Sequence, residues 1–123
     1  MRVKDAVGRY GEQVAADHLE TAGLVILERN WRCREGELDI VARDGAELVF
    51  VEVKTRSSLA FGSPAEAVGP VKSARIRQLA LRYLLTRREA GDDSSWAALR
   101  FDVVAVVRSA GTGPEVVHVR GAF

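Results

Sequence analysis

At 123 residues the chain has room for one hydrophobic core, a single domain over 1–123, and not for two. With 47% hydrophobic and 28% charged residues it is too apolar for intrinsic disorder, and a net charge of +1 excludes binding to nucleic acid by bulk charge alone, so any basic surface must come from local clustering. Cys33 is the lone cysteine, which rules out an intramolecular disulfide framework and a cysteine-rich zinc site and fits a reduced, cytoplasmic setting.

Lys4, Asp5, Arg9, Glu12 and Asp17 interrupt the N-terminal stretch, so neither the apolar core of a signal peptide nor a membrane span is expected there. From Lys4 to Thr21, the residues Val7, Tyr10, Val14, Ala15, Leu19 and Ala22 recur at helical spacing, and Gly23 supplies a stop. Glu12 falls about 110° from the centre of that stripe at ~100° per residue, on the flank, facing either solvent or a neighbouring site. Leu24 to Leu27, continuing through Trp31, predicts a first strand. Leu38–Arg43 and Leu48–Thr55 flank the Asp44-Gly45 turn signal and predict a hairpin.

Ser57–Pro64, with Phe61 its one bulky member, reads as a loop, and an amphipathic helix follows from Pro64 or Pro70 to Arg88. Leu99–Val107 and Glu115–Val119 predict two further strands. The order is α-β-β-β-α-β-β. The hairpin requires antiparallel pairing and the second helix permits a parallel crossover, so a mixed α/β sheet flanked by helices is expected.

The stretch Gly36–Arg56 sets acids into otherwise apolar strands. Because strand side chains alternate, Glu52 and Lys54 share a face with Leu48 and Phe50, while Val49, Val51 and Val53 take the other. Asp39 joins Glu52 only in one register, with Arg43 opposite Leu48 across a four-residue loop at Asp44–Glu47; the paired residue numbers must then sum to an odd value. Two carboxylates so placed suit a hard divalent cation, Mg²⁺ or Mn²⁺. Asp39 and Glu52 are the expected ligands, the Val53 carbonyl a third, and Glu12 a further one, direct or through water. Lys54 would position or deprotonate the attacking water, or stabilise developing negative charge.

Asp39 followed, across a hairpin, by Glu52-Val53-Lys54 resembles the PD-(D/E)xK nuclease superfamily. Gly11-Glu12, Asn30, Gly36-Glu37-Leu38-Asp39, Phe50-Val51-Glu52-Val53-Lys54-Thr55-Arg56, Gly62 and Lys72 together look like the YraN-like family of small predicted endonucleases, over roughly Val7 to Val107. That family is similar to archaeal Holliday-junction resolvases. The resemblance implies a restriction-endonuclease-like αβββαβ core, a catalytic set of Glu12, Asp39, Glu52 and Lys54, and a DNA substrate that includes branched or junction DNA, for which symmetric cutting would require a homodimer. Leu38 stands where the superfamily motif has proline.

Arg29, Arg32, Arg34, Arg56, Lys72, Arg75 and Arg77 flank these acids in sequence. Arg34, Arg56, Lys72 and Arg75 are the candidate phosphate contacts. Arg82, Arg87 and Arg88 read equally well as a solvated helix face. Glu37 is expected at the hairpin edge or behind the ligands, Asp44 as a turn former, His18 and His118 as packed residues, and Asp102 as a cap or an arginine's partner. Trp31, Phe61 and Trp96 are expected to pack rather than to stack on a base. Two other classes compete with a Mg²⁺-dependent endonuclease: a nucleic-acid-binding module whose chemistry is weak or partner-dependent, and an oligomer-forming scaffold.

Overall fold

A computed structural model describes residues 6–56, 68–109 and 113–123. Helix α1 spans Ala6–Thr21, strands β1, β2 and β3 span Val25–Cys33, Gly36–Asp44 and Glu47–Arg56, helix α2 spans Pro70–Glu89, and strands β4 and β5 span Ala98–Ser109 and Gly113–Val119. The element order is the expected one. Of the two candidate helix starts the described residues contain Pro70, whose fixed φ and missing N–H suit a first helical turn. Phe61, Gly62 and Pro64, and with them the loop reading of 57–64, lie outside the described residues.

The five strands form one mixed sheet in the order β1-β2-β3-β4-β5. β1–β2, β2–β3 and β4–β5 pair antiparallel, and β3–β4 pair parallel across the connection that contains α2. In the β2–β3 hairpin Ile40 faces Val51, Val41 faces Phe50, Ala42 faces Val49 and Arg43 faces Leu48, which is the odd-sum register. The loop is shorter than expected. Asp44 also pairs with Glu47, leaving Gly45-Ala46 as a two-residue turn, and Gly45 at φ +61° supplies the left-handed conformation such a turn needs at its first position.

Each face of the sheet carries a helix, so the central strands are apolar on both sides. Leu48 and Phe50 of β3, Val41 of β2 and Phe101 and Val103 of β4 pack under Ile76, Leu79, Ala80 and Tyr83 of α2. Val49, Val51, Ile40, Ala42, Val104 and Val106 pack under Ala15, Ala16 and Leu19 of α1. Trp31 meets Tyr83 edge-on at 5.4 Å, and Trp96 packs against the α2-side core, so both tryptophans serve packing.

One departure from regularity positions the acids of β2 and β3. The β2–β3 ladder ends at Ile40–Val51, yet β2 runs on to Gly36 paired with β1, and β3 runs on to Arg56 paired with β4. The sheet therefore forks. Glu37 and Asp39 lie on one prong, Glu52 and Lys54 on the other.

Candidate metal and phosphate site

The fork is held open by a side chain in place of a ladder bond. The Val53 N–H, which has no β2 carbonyl opposite it, donates to Asp39 Oδ2 at 3.0 Å. Asp39 is thereby fixed at the crotch, next in register to Glu52, and is only 8% exposed. Val53 was expected to offer its carbonyl; the contact seen is through its N–H.

Helix α1 delivers Glu12 to the same place. It can do so because Gly11 has no side chain: a Cβ there would collide with the Thr55 side chain, so a larger residue would force the helix and β3 apart or Thr55 to move. Glu12 is 4% exposed, which decides between its two sequence readings in favour of the site. Carboxylate oxygens of Glu12, Glu37 and Asp39 lie within 4.8 Å of one another. Of the two places expected for Glu37, the hairpin edge or behind the ligands, the structure puts it beside the ligand carboxylates. Its other partner is Arg32, whose Nε donates to Glu37 Oε2 at 2.7 Å.

Glu52 faces this cluster from the other prong. Burial, and after it the neighbouring charge of Asp39, raise its pKa above the ordinary carboxylate range, against the opposing pull of Lys72 and Lys54. Lys72 Nζ lies 3.2 Å and Lys54 Nζ 3.7 Å from Glu52 Oε1. Lys54 in turn is held below the usual lysine range, first by burial and next by the side chain of Lys72.

A cleft of about 380 Å³ is lined among others by Asp39, Glu52, Glu37, Lys72, Arg34 and Arg75, while Glu12 and Lys54 are not part of its lining. The fold sorts the arginines further. Arg32, Arg82, Arg87 and Arg100 are taken by Glu37, Glu35, Asp92 and Asp102. Arg34, Arg56 and Arg75 form no ion pair among the described residues. Of these, Arg34 and Arg75 face the cleft, whereas Arg56 ends β3 beyond Lys54 and does not line it.

Asn30 completes the surroundings, and sequence alone assigned it no role. It lies opposite Asp39 in the β1–β2 register, since Arg29 faces Ile40 and Trp31 faces Leu38. Its φ of +54° falls in the region that Asn tolerates better than most residues, and its buried Oδ1 has no hydrogen-bond partner among the described residues.

The sequence profile of the Uncharacterised protein family UPF0102 matches residues 11–106, from within α1 through β1, β2, β3 and α2 to most of β4. The chain belongs to this family. UPF0102 proteins of Beutenbergia cavernae and Frankia alni are each 58% identical to it, over 98% of both chains in the first case and over 100% of this chain and 98% of the relative in the second. One from Acidothermus cellulolyticus is 52% identical over 98% of this chain and 95% of its own. The YraN-like resemblance is thus borne out at the level of the family. Among the described residues no helix is long and apolar enough to cross a membrane.

Proposed function

We propose that the chain is a divalent-metal-dependent endonuclease that hydrolyses DNA phosphodiesters, branched or junction DNA among them, on a restriction-endonuclease-like core. One observation carries the reading. Three carboxylates drawn from α1 and β2, Glu12, Glu37 and Asp39, converge beside a fourth, Glu52 of β3, although each would be cheaper to leave in water.

The donor chemistry fits Mg²⁺ or Mn²⁺. Every candidate donor is a carboxylate oxygen, as hard cations require, and the acids are gathered closely enough to repel one another without a cation. Asp39 and Glu52 would hold the ion, with Glu12 and Glu37 beside them. When bound, the ion makes water a stronger acid and offsets negative charge on a phosphodiester.

The chain's own residues supply the rest. Val53 N–H fixes the Asp39 carboxylate in orientation. Lys54, partly withdrawn from water, is poised to take a proton from the attacking water or to hydrogen-bond a phosphate oxygen. Arg34 and Arg75, which form no ion pair among the described residues and face the cleft, suit bidentate contact with flanking phosphates, and Arg56 follows Lys54 along the same strand.

The test is a panel of labelled DNA (duplex, single strand, flap and four-way junction) and RNA, incubated with purified protein and Mg²⁺ or Mn²⁺. Expected is cleavage of at least one DNA structure that stops with EDTA and is abolished in Asp39→Asn and Glu52→Gln. Cleavage that survives both substitutions overturns the reading, and salt-sensitive binding without turnover would place the chain among binding modules instead.

A further inference from the structure

Two lysines reach one carboxylate oxygen from different elements, and they are not equivalent. Lys54 stands two residues from Glu52 on the same strand face, with its side chain 24% exposed. Lys72 arrives from the first turn of α2, with its side chain 40% exposed and closer to the carboxylate, at 3.2 Å. The strand ties Lys54 to its position. Lys72 has solvent around it and four methylenes with which to swing.

Glu52 Oε1 cannot serve an ammonium at that distance and a divalent cation together without cost. A cation on this oxygen sits ~2.0–2.1 Å from it, and the like charges then oppose each other across a few ångströms. Lys72 has somewhere else to go, because the cleft it lines also presents Arg75 from the next turn of α2 and Arg34 from the β1–β2 turn, neither in an ion pair among the described residues. That wall is built to meet phosphate oxygens.

Resting on the function proposed above, we infer that Lys72 is a positioning residue that a divalent cation displaces from Glu52, turning it to a nucleic-acid phosphate and so coupling metal binding to substrate binding. Reciprocity then follows: whatever draws Lys72 toward the phosphate leaves Glu52 a better metal ligand.

Calorimetric titration of Mn²⁺ into the wild type, Lys72→Met, Lys72→Arg and Asp39→Asn tests this without reference to cleavage. Lys72→Met is expected to bind Mn²⁺ roughly two- to fivefold more tightly, the range set by one partly exposed ion pair, and Lys72→Arg to restore wild-type affinity. Unchanged affinity in Lys72→Met overturns the inference and leaves the metal site standing. No binding by the wild type, or equal binding by Asp39→Asn, overturns the metal site and the inference with it. A second readout uses the fact that Lys4, Lys54 and Lys72 are the chain's three lysines. Acetylation with a limiting reagent, read by mass spectrometry, should proceed at least about twofold faster at Lys72 relative to Lys4 once Mg²⁺ is added, as release from an ion pair implies. Protection, or no change, overturns the displacement.

Discussion

Asp102 and Glu52 are acids set one residue apart in register on adjacent parallel strands, Asp102 beside Val51 and Glu52 beside Val103, and they point to opposite faces. Asp102 is wholly buried, on the α1 side, and every oxygen lone pair is matched. Arg100 donates to both carboxylate oxygens at 3.0 Å, Gly121 N–H donates to Oδ1 at 3.0 Å, and His118 Nε2 donates to Oδ2 at 2.7 Å. The same guanidinium reaches Asp44 and Glu47 at 2.9 Å each, tying the hairpin turn to β4 and the C-terminal segment. Burial is the largest influence on Asp102 and pushes its pKa up, yet the hydrogen bonds together hold it below the ordinary range. Glu52, with Asp39 beside it, goes the other way. At Asp102 the donors outweigh the cost of burial, whereas at Glu52 burial and the charge of Asp39 outweigh the two lysines.

The difference can be broken most sharply at the level of activity. Asp39→Asn is expected to lower DNA cleavage by about 10²-fold or more. Asp102→Asn, assayed per folded molecule, should cost less than about threefold, because Asp102 touches nothing in the cleft. Equal losses would erase the distinction. On stability the order reverses. Asp102→Ala leaves half-buried Arg100 with Asp44 and Glu47 but takes the shared acceptor from Arg100, His118 and Gly121 N–H, and should cost roughly 3 kcal/mol by urea unfolding. Gly11→Ala should cost ~1–3 kcal/mol, because a methyl there collides with Thr55, and should also weaken Mn²⁺ binding by withdrawing Glu12.

Much of the fork was legible in the order of residues, for a physical reason. Alternation along a strand and the odd-sum register are local consequences of the hydrophobic pattern, and they alone bring Asp39 level with Glu52. Three things were not legible. That the ladder stops at Ile40–Val51 depends on β1 and β4 drawing the two strands apart, a tertiary effect with no local signature. Glu37 comes beside Glu12 and Asp39 at that parting, whereas pattern alone left open an edge or a place behind the ligands. The Arg100–Asp102–His118 knot joins β4 to β5 and the C-terminal segment. Sequence offered Asp102 an arginine partner without saying which, and gave His118 no partner. The arginines show the same limit. Sequence named Arg34 a phosphate contact and left Arg82 open, and only the fold shows that Glu35 takes Arg82 while Arg34 faces the cleft in no ion pair among the described residues.

A smaller effect sharpens the contrast through Glu52. Its raised pKa means that the fold disfavours the ionised form, so replacing it should stabilise the protein while removing activity, the trade expected of a site residue. Glu52→Gln should melt about 3 °C higher than the wild type at pH 7 without metal, near what 1 kcal/mol brings to a domain of this size. Saturating Mg²⁺ should close most of that gap by stabilising the wild type alone.

The pH dependence of that gap is the smallest and most discriminating effect. A carboxylate whose folded pKa lies above its unfolded value, ~4.3 for Glu, penalises the fold fully above the folded pKa and not at all below the unfolded one. The Glu52→Gln advantage should therefore shrink as pH falls from 7 and vanish near pH ~4. Asp102 has the opposite sign: its depressed pKa gives stability that is intact above the unfolded value, ~3.9 for Asp, and is lost as pH drops through its folded value. Wild-type melting temperature should then rise slightly on mild acidification as Glu52 takes up its proton, and fall steeply only once Asp102 does. In Asp102→Asn the steep fall should be blunted while the mild rise persists. A Glu52→Gln advantage that stays constant from pH 7 to 4 would mean that the fork stores no repulsion, and the contrast between the two acids would rest on Asp102 alone.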